Sequence, residues 1–169
     1  MSAKDQLLQT IIQLGSETGK FKASKGDDTD LIIERKIVDA EYYKLAGKEK
    51  ILKTYSAYLL LDEATHEARC NEQLVEASNG MGVDLASGNV GFGTSRNVFR
   101  GKVIGLEESG KAWGISKDDM TPGKVVDYSF DIKDVRQPIE QALVSSGWKL
   151  VLVTSRKDAS YPKKKGWFR

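Results

Sequence analysis

Cysteine and histidine each occur once in this chain of 169 residues, as Cys70 and His66. A single thiol excludes an internal disulfide and any zinc site made from several thiolates, and it fits a reducing compartment. A single imidazole excludes HExxH helices and two-histidine metal sites within one chain. Proline is scarce, and no apolar run approaches the ~20 residues of a membrane helix. The longest such runs, Ala57 to Leu61 and Leu150 to Val153, are strand-sized. The opening stretch MSAKDQLLQTIIQLG has no continuous apolar region followed by a small-residue cleavage site. The expectation is a cytoplasmic chain with no membrane partner. A GxSxG nucleophile elbow is also missing.

What is present is ordinary for a globular protein: 40% hydrophobic and 30% charged residues, in a length that suits one domain. The net charge of +2 hides an asymmetry, because Ser155 to Arg169 carries a balance of +5 and the remainder −3. A cationic end on a mildly acidic body suits contact with polyanions; the plainer reading is a solvated tail.

Residues 1–15 read as an amphipathic helix. Ser2 and Asp5 form a capping box, Leu7, Leu8, Ile11, Ile12 and Leu14 lie on one stripe, and Gly15 is the stop. Residues 16–30 read as a polar loop or linker, which leaves the helix free to dock loosely or to serve self-association. LIIERKIVDA and ILKTYSAYLLL have strand composition, with a short helix or broad turn expected between them. Residues 62–78 fit either a helix capped by Asp62 or a strand. Six glycines between positions 80 and 101 point to tight turns. NVFRGKVIG and KVVDYSFDI read as strands, the second with Val126, Tyr128, Phe130 and Ile132 facing inward. A closing helix follows, with Asp134 and Gln137 as a capping box, Pro138 near its start and Gly147 at its end, and then the strand WKLVLVTS. The sum is an α+β protein, a mostly antiparallel sheet with a helix near each end, in which residues 31–159 form the domain and 160–169 a basic-aromatic tail.

The stretch Gly105 to Ala112, GLEESGKA, fits seven of the eight positions of the phosphate-cradling pattern GxxxxGK[ST]. It lacks the final hydroxyl that holds magnesium, places Glu107 and Glu108 beside the would-be phosphates, and is followed by AWGISKDDMTPG, which is too rich in breakers for the required helix. A β-turn explains its glycines, and no cofactor is expected. GFGTSR has Arg96 where a dinucleotide loop needs its third glycine.

Alternation across residues 95–103 instead puts Arg96, Arg100 and Lys102 on one side of a strand. With Lys163, Lys164 and Lys165 they form a candidate anion or nucleic-acid surface, to which Tyr161, Trp167 and Phe168 add stacking rings. A charged strand face that discourages edge pairing accounts for the same residues. His66 and Cys70 share a face in either reading of their segment, but along a strand they stand about 13 Å apart, too far for a base and its nucleophile. Asp118, Asp119, Asp127 and Asp131 suit turns and solvated faces better than acid–base work. Three functional readings follow: a non-enzymatic binding module, a nucleic-acid-binding protein using the cationic strand and tail, and an enzyme built on loop carboxylates and the glycine-rich segment.

Overall fold

The segments LIIERKIVDA and ILKTYSAYLLL, both expected as strands, fold back on one another as the central hairpin of the molecule. The computed structural model describes the backbone of residues 2–44, 47–84, 89–101 and 107–162, and the side chains among them up to residue 78 and from residue 109 onward. In chain order the elements are α1 (Ala3–Thr18), β1 (Lys22–Lys25), β2 (Leu31–Lys44), β3 (Gly47–Asp62), β4 (Glu67–Asp84), β5 (Asn89–Gly101), β6 (Glu107–Ser116), β7 (Pro122–Asp131), α2 (Lys133–Ser145) and β8 (Lys149–Leu152), followed by a 3₁₀ turn at Arg156–Ala159. The sheet runs β5-β4-β3-β2-β6-β7 with antiparallel neighbours; β1 adds to the start of β2, and β8 lies parallel to the start of β4. This is the α+β arrangement expected from the sequence, with a helix near each end of the chain.

The apolar stripes of both helices converge on one face of this sheet. Leu7, Leu8 and Ile11 of α1 and Val135, Ile139 and Leu143 of α2 share a buried cluster with Ile33, Tyr55, Leu59 and Cys70. The stripe on α1 is therefore taken up by the chain's own core. A second cluster joins Val38 and Tyr42 of β2 to Val126 of β7, because the β6–β7 hairpin, paired to β2 at Tyr42 and Tyr43 among the described residues, curls over the same inner face. Phe130 of β7 reaches Tyr55 of β3 there, with ring centroids 5.7 Å apart. Bulges at Ile37 and Val125 place an extra apolar residue on this side of each strand, Ile37 beside the main cluster and Val125 beside the second.

Several local expectations are corrected. From Glu67 onward the ambiguous segment is strand, since Ala68, Cys70, Glu72 and Leu74 are buried at every second position, and pairing with β3 overrides the local helix preference. Of the glycines between 80 and 101, five lie in strands and not in tight turns, with Gly80 opposite Gly93, Gly82 opposite Gly91 and Gly101 opposite Glu72, while Gly88 lies outside the described residues. The segment between the first two strands contributes only strand on either side of residues 45 and 46, not a helix. GLEESGKA is strand from Glu107, and Gly110 is required not for a turn but for space, because a Cβ there would stand 2.7 Å from the Tyr128 ring. α1 forms its capping box but runs past Gly15, which packs under Phe21, and ends at Gly19 with φ 63°. The expected linker contains β1 and the buried Thr29 and Asp30. At α2 the predicted capping box does not form: Asp131 accepts from the Lys133 amide at 2.9 Å, and Asp134 sits inside the first turn, paired with Lys20 at 3.2 Å.

Candidate functional site

Strand pairing fixes which residues share the opposite, outer face, because cross-strand partners lie on the same side of the sheet. Reading from β2 through β3 and β4 to β5, the outer rows are Glu34, Ser56, Gln73 and Arg100; Lys36, Thr54, Val75 and Val98; Asp39, Leu52, Ala77 and Arg96; and Glu41, Lys50, Asn79 and Thr94. Tyr43 and Lys48 pair beyond the last row, at the distal end. Among the described residues, neither helix packs on this face, since both bury their apolar stripes on the other.

Arg96 and Arg100 thus hold register positions on the same outer face of β5, opposite Ala77 and Gln73. Lys102, Lys163, Lys164, Lys165 and Trp167 lie outside the described residues. Sequence reasoning missed the lysines of β2 and β3, because only the register reveals that they share a face with the β5 arginines. Two carboxylates are divided among four ammonium groups here. Asp39 lies 3.3 Å from Lys36 and 3.8 Å from Lys50, and Glu41 lies 3.0 Å from Lys48 and 2.7 Å from Lys117. Hydrogen bonds from Lys117 and then Lys48 hold the Glu41 carboxyl down to about 2. Solvent-exposed pairs of this kind contribute little to stability, so a stronger anion can displace their carboxylates.

At the proximal end the outer face is crossed by the segment after β8. Asn71 donates to the carbonyls of Val153 and Thr154 at 3.0 and 3.1 Å, and the Arg156 guanidinium lies 3.7 Å from the Tyr58 ring centroid. Tyr161 then anchors the start of the tail: its hydroxyl donates to Asp30 at 2.6 Å and its amide to the Asp28 carbonyl at 2.7 Å. Burial, followed by the Asp30 contact, pushes the Tyr161 phenol up to about 12. Tyr161 and Pro162 therefore sit with Asp28 and Arg156 at the proximal end of the sheet.

At the distal end is a feature that sequence reasoning overlooked. A shallow groove of about 580 Å³ is lined by Tyr43 of β2, Trp113, Gly114 and Ile115 of β6, and Pro122 and Gly123 of β7, with Lys44 at its edge. Tyr43 is the partner of Ile115, and Ile115 of Pro122, so the groove continues the outer face. Trp113 is 68% exposed. Gly114 permits the close approach of β6, since a Cβ there would meet the Tyr43 carbonyl oxygen at 2.6 Å. The signal was available in Ala112-Trp113-Gly114-Ile115, where small residues alternate with large apolar ones, but the breakers downstream masked it.

The other sequence candidates do not come together. The Cys70 thiol is buried and pushed upward by that burial, the reverse of what a thiolate nucleophile needs, and His66 stacks on Trp148 with centroids 5.0 Å apart. Asp119 accepts from the Thr121 hydroxyl and amide, Asp127 pairs with Lys124, and both carboxyls are lowered by these partners, which keeps them ionised and unsuited to donate protons. Among the described residues no group of three His, Cys, Asp or Glu is placed to hold a metal ion. In that same set no helix is long and apolar enough to cross a membrane. Comparison with known proteins adds no constraint: no protein-family model, no curated protein and no solved structure matches this chain.

Proposed function

We propose that this chain is a non-enzymatic binding module whose outer sheet face holds a polyanion, nucleic acid in the first instance. The observation that supports the reading is the division of the two faces. Both helices and both apolar clusters occupy one side, while the other collects Lys36, Lys48, Lys50, Arg96 and Arg100 against Glu34, Asp39 and Glu41. A sheet face on which neither helix packs among the described residues, and which carries surplus cations, matches what phosphate contacts require. Tyr161 anchors the start of the tail at the proximal end of this face, and Lys163, Lys164 and Lys165 follow it in the chain as further cations for the same polyanion.

The test is a titration of labelled oligonucleotide over a salt series. Affinity should fall steeply with salt. Both Arg96→Ala with Arg100→Ala and removal of the chain after Pro162 should weaken binding and flatten the salt slope by about one for each phosphate no longer neutralised. The cut belongs after Pro162, because an earlier one would also remove the Tyr161 anchor. Binding that ignores salt, or none at low salt, overturns the reading.

A further inference from the structure

We infer that the polyanion is a single-stranded nucleic acid, and that one of its bases stacks in the groove between Trp113 and Tyr43. The inference rests on the preceding reading of the outer face and adds the class of ligand. Trp113 presents most of its indole to solvent at 68% exposure, although the residue before it on β6, Ala112, packs against the second core cluster, so the ring is not an overflow from that core. Around it the lining is almost wholly apolar, with Ile115 and Pro122 beside the two rings. A flat aromatic guest meets those conditions, because every base has a π-face and stacking on Trp or Tyr is tolerant of sequence.

Charge decides between a base and an apolar protein segment. Cations flank the groove: Lys48 lies directly opposite Tyr43 and Lys124 directly opposite Trp113, whereas the Lys44 ammonium turns to the other face, over the Tyr42 ring and against Glu49. The present partners of the first two, Glu41 and Asp127, are exposed enough to be exchanged. A phosphate attached to the stacked base can take those ammonium groups over, whereas a purely apolar segment would gain nothing from them. From Tyr43 the outer face continues through Lys48 and Lys50 to Arg96, two rows back and three strands across, a path of about 20 Å that suits the few nucleotides held by one such platform. Duplex nucleic acid fits less well, because its bases are stacked internally and leave no free π-face for the indole.

The test uses the full chain carrying Trp167→Phe, so that Trp113 is read against the buried Trp148, with three ligands matched in charge: an oligothymidylate, a duplex of half its length and heparin. The oligothymidylate should bind most tightly and quench Trp113 fluorescence; Trp113→Ala should weaken that binding roughly tenfold while leaving heparin unchanged, and Trp113→Phe should restore part of it. Equal quenching by heparin or duplex, or oligothymidylate affinity unchanged in Trp113→Ala, overturns the stacking inference and leaves the cationic-face reading standing if the β5 arginine substitutions still weaken binding. Failure of all three ligands to bind overturns both.

Discussion

Arg136 of α2 grips the carboxylate of Glu72 on β4, with Nε 3.1 Å from one oxygen and Nη2 2.7 Å from each, while the Tyr55 hydroxyl donates to the same carboxylate at 2.8 Å. Glu72 is 1% exposed, so this contact fastens the helix to the middle of the sheet inside the core. Replacing Arg136 by Met strands a buried carboxylate and should cost on the order of 3–5 kcal/mol, read by urea denaturation. Replacing Tyr55 by Phe and both Glu72 and Arg136 by Met should recover most of that loss, since an apolar trio leaves no charge unpaired. A cost below about 1 kcal/mol for the single change would mean the ion pair does not hold the helix.

Gly114→Ala should separate β6 from β2. Its new methyl would press on the Tyr43 carbonyl and the Tyr42 ring, at 2.6 and 2.8 Å, and overpacking of that kind costs about 1–3 kcal/mol. A thermal melt measures the loss, and the emission of Trp113 reports whether the groove has opened.

Tyr161→Phe removes a donor from the buried Asp30, which also accepts from the Leu61 amide at 2.7 Å and lies 3.0 Å from the Lys4 ammonium. A hydrogen bond to a charged group contributes about 1.5–3 kcal/mol, and the variant should lose that much in denaturant. Its tail should also become more open to proteolysis after Lys163 to Lys165, which limited digestion followed by mass measurement would detect.

Acid should weaken the distal end through Glu41. Its carboxyl is lowered in the folded chain from 4.5 to about 2 by Lys117 and Lys48, so its contribution is complete above pH 4.5 and is lost as the pH falls toward 2. Glu41→Gln lacks that dependence. The stability gap between the two proteins, measured in urea, should be largest near pH 6 and close as the pH approaches 2; a gap that stays constant would show that the lysines do not stabilise the ionised form.

Strand β7 was legible because Val126, Tyr128 and Phe130 alternate without interruption, and α1 because its cap and stripe agree. The glycine-rich segment was not, because a glycine favours a turn when read alone and tolerates a strand when another glycine faces it, as Gly93 faces Gly80. Half of the candidate surface was visible for a related reason. Alternation along β5 was enough to associate Arg96 with Arg100, but joining them to Lys48 and Lys50 takes pairings between strands far apart in sequence, such as Ala77 with Arg96 and Lys50 with Asn79.

The bulge at Ile37 has a consequence for anyone redesigning this sheet. Counting in twos from Leu31, which is buried, predicts that Tyr43 is interior and Tyr42 is in solvent; the additional residue reverses that parity, and it is Tyr42 that is buried. Deleting Ile37 would leave Val38 opposite Lys53 and every later partnership intact, with Tyr43 still on the lip of the groove.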